Sequence, residues 1–140
     1  MENIQIVITA ILAGLLTYVI SIKLEKGAVF GSAVVVLLSG LFLPHFFENG
    51  SLLAVVATTA SYAGMVAGKN VPSLVEMGVV GLITGVVFIL AQPVYLGVGG
   101  KLGVIGAIAC LTWIGMKKAY EMTFVQRKEK ASQRTASRMQ

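Results

Sequence analysis

The chain has 140 residues, 56% of them hydrophobic and only 12% charged, with a mean hydropathy of +0.87. Soluble domains carry about a quarter of their residues as charge, so this composition excludes an ordinary water-soluble globule and points to lipid as the main solvent. The net charge of +5 belongs to the end of the chain: from Lys117 onward seven basic residues oppose Glu121 and Glu129, whereas four basic and four acidic residues cancel over the first 116.

The first apolar segment, 4–22, is about 28 Å long as a helix, enough to cross a hydrocarbon core. No basic leader or small-residue cleavage site accompanies it, so it reads as a retained span rather than a signal peptide. Ala10 and Gly14, with the row Ala13, Thr17 and Ser21, give it small-residue faces. A charged turn, Lys23 to Gly27, leads to the second segment, 28–47, which ends on Pro44, His45, Phe46 and Phe47. The polar run Glu48 to Ser51 marks the next turn. The third segment, 52–67, is short, about 24 Å. It combines Thr58, Thr59, Ser61 and Tyr62 with a ridge of Ala60, Gly64 and Gly68. Lys69, Asn70 and Pro72 interrupt the chain before the fourth segment, 74–96. Here Glu76 opens the helix, Gly81-xxx-Gly85 offers a close-approach face, and Gln92, Pro93 and Tyr95 close it. A glycine turn (Gly97, Gly99, Gly100) and Lys101 precede the fifth segment, 102–116, which carries Gly103 near its start and continues as helix to about Gln126.

The expected fold is thus an all-α membrane protein of five short transmembrane helices over residues 1–116, followed by a basic cytoplasmic helical extension and tail over 117–140. Charge favours five spans over four. With the tail inside, five spans keep Lys23, Lys26 and Lys69 on the inner side and leave only Lys101 outside, as the positive-inside rule requires. Tyr18, Tyr62 and Trp113 then fall towards the inner interface, and Phe42, Phe46, Phe47 and Tyr95 towards the outer one. The N-terminus lies outside, in a plasma-type or inner membrane. An offset of 49 places Pro44 on Pro93, Phe46 on Tyr95 and Gly50 on Gly99. This pattern reads either as a parallel repeat or as the ordinary preference of interfaces for these residues.

Chemistry-bearing residues are few. His45 is the sole histidine and Cys110 the sole cysteine, so neither a disulfide, a His/Cys metal site nor a cofactor is expected. Glu48 lies three residues from His45 and would touch it if the helix persisted. Glu76 compensates the helix dipole or sits as an interfacial acid, with a proton relay as the rival role. Gln92 and Pro93 form the strongest site candidate, because proline frees a carbonyl one turn back. With Thr58, Thr59, Ser61 and Tyr62 they could line a neutral polar path; the alternative is that each hydroxyl bonds its own helix. Gly81, Gly85, Ala60, Gly64, Gly68 and Gly103 are the candidate packing positions. The glycines after segment four lead from helix to helix, so they form no phosphate loop, and no catalytic signature is present. The tail is expected to meet anionic lipid and not nucleic acid.

Two readings of function follow. The chain is either a transport or channel-type component, oligomeric, acting on a small solute or ion, or a non-catalytic subunit docked on other membrane subunits. A holin-like pore former is a third, remoter reading. None of the three is an enzyme.

Overall fold

The computed structural model describes residues 2–93 and 100–138, and side chains as far as Arg127. Every regular element among them is helical: α1 (Glu2–Tyr18), which runs on as a π-helical turn over Val19–Lys23, α2 (Ala28–Phe46), α3 (Gly50–Gly64), α4 (Leu74–Ala91) and α5 (Lys101–Arg138). Four of the five stretches are long and apolar enough to cross a membrane: Glu2–Lys23, Ala28–Phe46, Leu74–Ala91 and Lys101–Arg127. The fifth, α3, has 15 residues, about 22 Å of helix. It occupies 50–64 rather than the expected 52–67. Its start is drawn forward because Gly50 lies directly on the Leu43 carbonyl and the Pro44 Cα, where any Cβ would overlap them. Its end comes early because the Met65 amide turns back to Tyr62 and Ala63.

The short helix holds the centre. α3 packs on α1, α2, α4 and α5, whereas α2 touches, among the described residues, only α1, its π-helical turn and α3. Contacts between named residues give the directions. Asn49 at the head of α3 bonds Glu2 at 2.6 Å, and Gly64 near its end abuts Thr17, so α1 and α3 run parallel. Cys110 reaches the Ala63 carbonyl, so α5 runs with them. Ser32 bonds Ser61 and Gly81 meets Ile11, so α2 and α4 run the other way. The two ends of the bundle therefore differ. One holds Glu2, the α2–α3 turn, Gln92 and Lys101; the other holds Lys23, Lys26, the loop before α4, and Lys117.

Small residues set the spacing. A Cβ on Gly81 would stand 2.8 Å from the Ile11 Cα, one on Gly85 3.0 Å from the Val7 Cα, and one on Gly64 2.7 Å from the Thr17 Cβ. Close backbone approach is how helices gain van der Waals contact where lipid supplies no hydrophobic drive between them. Around these seams lie Ile6, Ala10, Val56, Ala60, Val80 and Ala109, all essentially inaccessible. Gly68 sits loosely near Ile22, and Gly103 faces open space; the glycine that brings α5 onto α3 is Gly106, against Ala63 and the Thr59 carbonyl.

Two further boundaries differ from expectation. α4 stops at Ala91, with Gln92 and Pro93 in a turn, because proline cannot continue the ladder; Tyr95 and the Gly97–Gly99 part of the turn lie outside the described residues. α5 runs through residue 116 as expected but ends at Arg138 rather than at about Gln126. It is continuous for 38 residues, about 57 Å and nearly twice a hydrocarbon core of about 30 Å.

Candidate functional site

The hydroxyls of α3 are tied down locally. Thr58 donates to the Ala54 carbonyl at 2.8 Å, Thr59 to Val55 at 2.9 Å, and Ser61 to Thr58 at 2.7 Å. These are the backbone bonds that serine and threonine make inside helices. Ser61 also pairs with Ser32 across the α2–α3 seam at 2.9 Å, fully buried. Gln92 is half-buried at the opposite end of the bundle from Ser61, and Pro93 is exposed. The levels between are filled by Val56, Ala60, Val80 and Phe88, all buried. Tyr62, 40% exposed, faces outward beside Gly106 and Cys110, in a shallow groove between α3 and α5. The nominated polar residues are thus not brought together around one open passage among the described residues.

His45 and Glu48 are both exposed, and no ion pair joins them among the described residues. The expected contact required helix through Glu48, but α2 ends at Phe46 and Phe47 is extended (φ −128, ψ 138). His45 instead sets its ring edge-on to Phe46, with centroids 5.7 Å apart.

Glu76 has the most developed surroundings. Ser73 caps α4 by accepting from the Glu76 amide, and the Ser73-x-x-Glu76 spacing is that of a capping box. The carboxylate, however, turns to α5. It accepts from the Trp113 indole at 3.0 Å and from the Lys117 ammonium at 2.9 Å, two residues one turn apart on the same face. This is the one ion pair among the described residues, half-open to solvent, with side-chain exposures of 21% for Glu76 and 35% for Lys117. It fastens α4 to α5 just where α5 leaves the bundle.

Three features had no forecast. The Tyr18 hydroxyl donates to the Val71 carbonyl at 2.5 Å, pinning the loop before α4 to the end of α1. The Thr17 hydroxyl is buried without a hydrogen-bond partner among the described residues. And α1 and α2 separate towards the α2–α3 turn, leaving an open-sided groove of about 470 Å³ floored by Leu53 and Ala57 of α3. No cluster of three or more metal-ligating side chains occurs among the described residues.

Set beside protein-family models, curated proteins and solved structures, the chain matches none. Function therefore rests on the geometry.

Proposed function

We propose that the chain is an integral membrane protein that serves as a non-catalytic subunit of a larger membrane assembly. The observation that carries this reading is the fate of its polar groups: the hydroxyls of Thr58, Thr59 and Ser61 are spent on helix carbonyls and on Ser32, while apolar side chains fill the bundle between Ser61 and Gln92. A carrier or channel would need dipoles facing an aqueous route; a packing subunit needs what is present, glycine-lined seams and an apolar exterior. Support for the orientation comes from charge. Lys23, Lys26, Lys69 and Lys117 gather at one end of the bundle, which the positive-inside rule places in the cytoplasm, with the N-terminus outside. The basic extension of α5 then projects about 30 Å beyond Lys117, available to partner subunits or anionic lipid.

Purification from native membranes in mild detergent tests the proposal. Co-purification of other membrane subunits in fixed ratio is the expected result. A self-sized oligomer that conducts solute or ion in reconstituted vesicles, with flux lost in Gln92→Leu, would overturn it and restore the transport reading.

A further inference from the structure

Beyond Lys117, α5 carries positive charge to a height its own membrane does not reach. The helix runs unbroken from Lys117 to Arg138, with no glycine or proline in that stretch on which to fold back. Lys118 to Arg127 are all exposed, so the bundle does not cover it there. The inner edge of the hydrocarbon lies near Lys117, whose partner Glu76 sits in the first turn of α4. The 18 residues of α4 span about 27 Å, against a core of about 30 Å, and the headgroup layer adds about 5–7 Å on each side. At about 1.5 Å per residue, Lys130 stands about 20 Å beyond Lys117, Arg134 about 26 Å and Arg138 about 32 Å. A tilt of about 20° removes only about 6% of each height. Attraction to anionic lipid fades within a Debye length, about 8 Å at physiological salt. Positions 130 to 138 lie outside that range.

The charges also share a face. Arg127, Lys130, Arg134 and Arg138 follow at spacings of three, four and four, which places them within about 80° of the circumference and along about 16 Å of the axis. Like charges three or four residues apart repel and destabilise a helix, so the row weakens α5 until opposite charge lies along it. This chain supplies none at that place. Glu121 and Glu129 each lie about 140° around the helix from Arg134, the middle of the row. Glu76 is bonded to Trp113 and Lys117. Glu25 sits in the turn level with the membrane edge, and Glu2 and Glu48 belong to the opposite end of the bundle. A second copy in the same membrane presents its own row at the same height, like against like. Nucleic-acid bases would need aromatic platforms, and the sequence has no aromatic residue after Phe124.

We propose that the row from Arg127 to Arg138 docks an acidic segment of a partner protein on the cytoplasmic side, one that presents carboxylates along about three helical turns. The proposal rests on the subunit reading above and names the contact by which the chain holds its assembly. To test it, the full chain in its native membranes is treated with a carbodiimide, which joins a lysine amine to a carboxylate as an amide and takes up the water itself. The chain is then purified in mild detergent. Lys130 should be found joined to an Asp- or Glu-rich segment of a subunit retained in fixed ratio. A scattered variant, Lys130→Ser with Ser132→Lys and Gln133→Arg with Arg134→Gln, keeps the net charge but takes two members off the face. It should retain about tenfold less of that subunit, since two ion pairs are lost together. Lys130→Arg keeps the charge without the coupling amine, and should keep the subunit while losing the cross-link. Full retention by the scattered variant overturns the row, because binding would then follow charge count alone. Retention abolished by nuclease, or coupling of Lys130 to lipid carboxylate instead of protein, overturns it as well. If the scattered variant loses helix content, Lys130→Gln with Arg134→Gln decides. The two levels separate cleanly: absence of any fixed-ratio subunit refutes the assembly reading, whereas a fixed-ratio subunit indifferent to the row refutes this contact alone.

Discussion

Adding one methyl group at Gly81 tests the close α1–α4 seam directly. The new Cβ would stand 2.8 Å from the Ile11 Cα and 3.2 Å from the Ala10 carbonyl oxygen, against a comfortable carbon separation of about 3.8 Å. The neighbours are backbone and cannot rotate aside, so α4 must withdraw by about 1 Å. Gly85 rides on Val7 one turn further along, so the withdrawal opens the seam as a whole. A gap of that size forfeits about a quarter to a half of each contact's dispersion energy, consistent with about 1–3 kcal/mol for an overpacked site. Alanine is also a better helix former than glycine by about 1 kcal/mol, which partly masks the loss. Gly78, on the same helix with open space around it, removes that ambiguity. Gly78→Ala should gain up to about 1 kcal/mol, and Gly81→Ala should lie about 1–3 kcal/mol below it. Reversible unfolding in mixed micelles, followed by circular dichroism, measures both. Equal shifts for the two variants would refute the claim that α4 is seated through its glycines.

Other expectations follow from single contacts. Glu76→Ala removes the acceptor shared by the Trp113 indole and the Lys117 ammonium and, because water reaches both partners, should cost up to about 1 kcal/mol, with a change in Trp113 emission; Glu76→Gln, which keeps an acceptor, should cost less. Unaltered emission in Glu76→Ala would remove the clamp. Tyr18→Phe leaves the Val71 carbonyl without its donor and should cost about 1–3 kcal/mol, accompanied by faster proteolysis between Gly68 and Ser73 but not between Lys23 and Gly27. Thr17→Val removes a hydroxyl that has no partner and should be neutral or stabilising; a loss above about 1 kcal/mol would show that the hydroxyl is bonded after all.

Much of the helix layout is readable from composition, because charged and glycine-proline turns punctuate the apolar runs. Ala28 and Leu74 begin their helices where the pattern places them. What is not readable is rotation about the helix axis. Gly103 and Gly106 are three residues apart, about 300° of turn, and only the packed bundle decides that Gly106 faces α3. The fate of the hydroxyls is obscure for a related reason. A threonine one turn above a carbonyl satisfies itself locally whether or not a path exists, so Thr58 and Thr59 look alike under both readings. The Glu76 clamp was nearer the surface of the sequence: Ser73-x-x-Glu76 carries a capping signature and Trp113 and Lys117 share a face, though their partnership spans 41 positions. The groove leaves no local trace, since it comes from the divergence of two helices.

The isolation of α2 bears on how the molecule is made. Nascent helices leave the ribosome in order, yet α1 meets its sequence neighbour less extensively than it meets α3 and α4, and among the described residues α2 meets neither α4 nor α5. The first hairpin to emerge is therefore poorly self-supporting. It gains a floor only when α3 arrives, and the glycine face of α1 stays unfilled until Gly81 and Gly85 have been synthesised. The seam is complete only once about two-thirds of the chain exists, and the Glu76–Lys117 pair needs the start of α4 and the middle of α5 together. Chains halted before α4 would leave the glycine face of α1 without the helix that fills it.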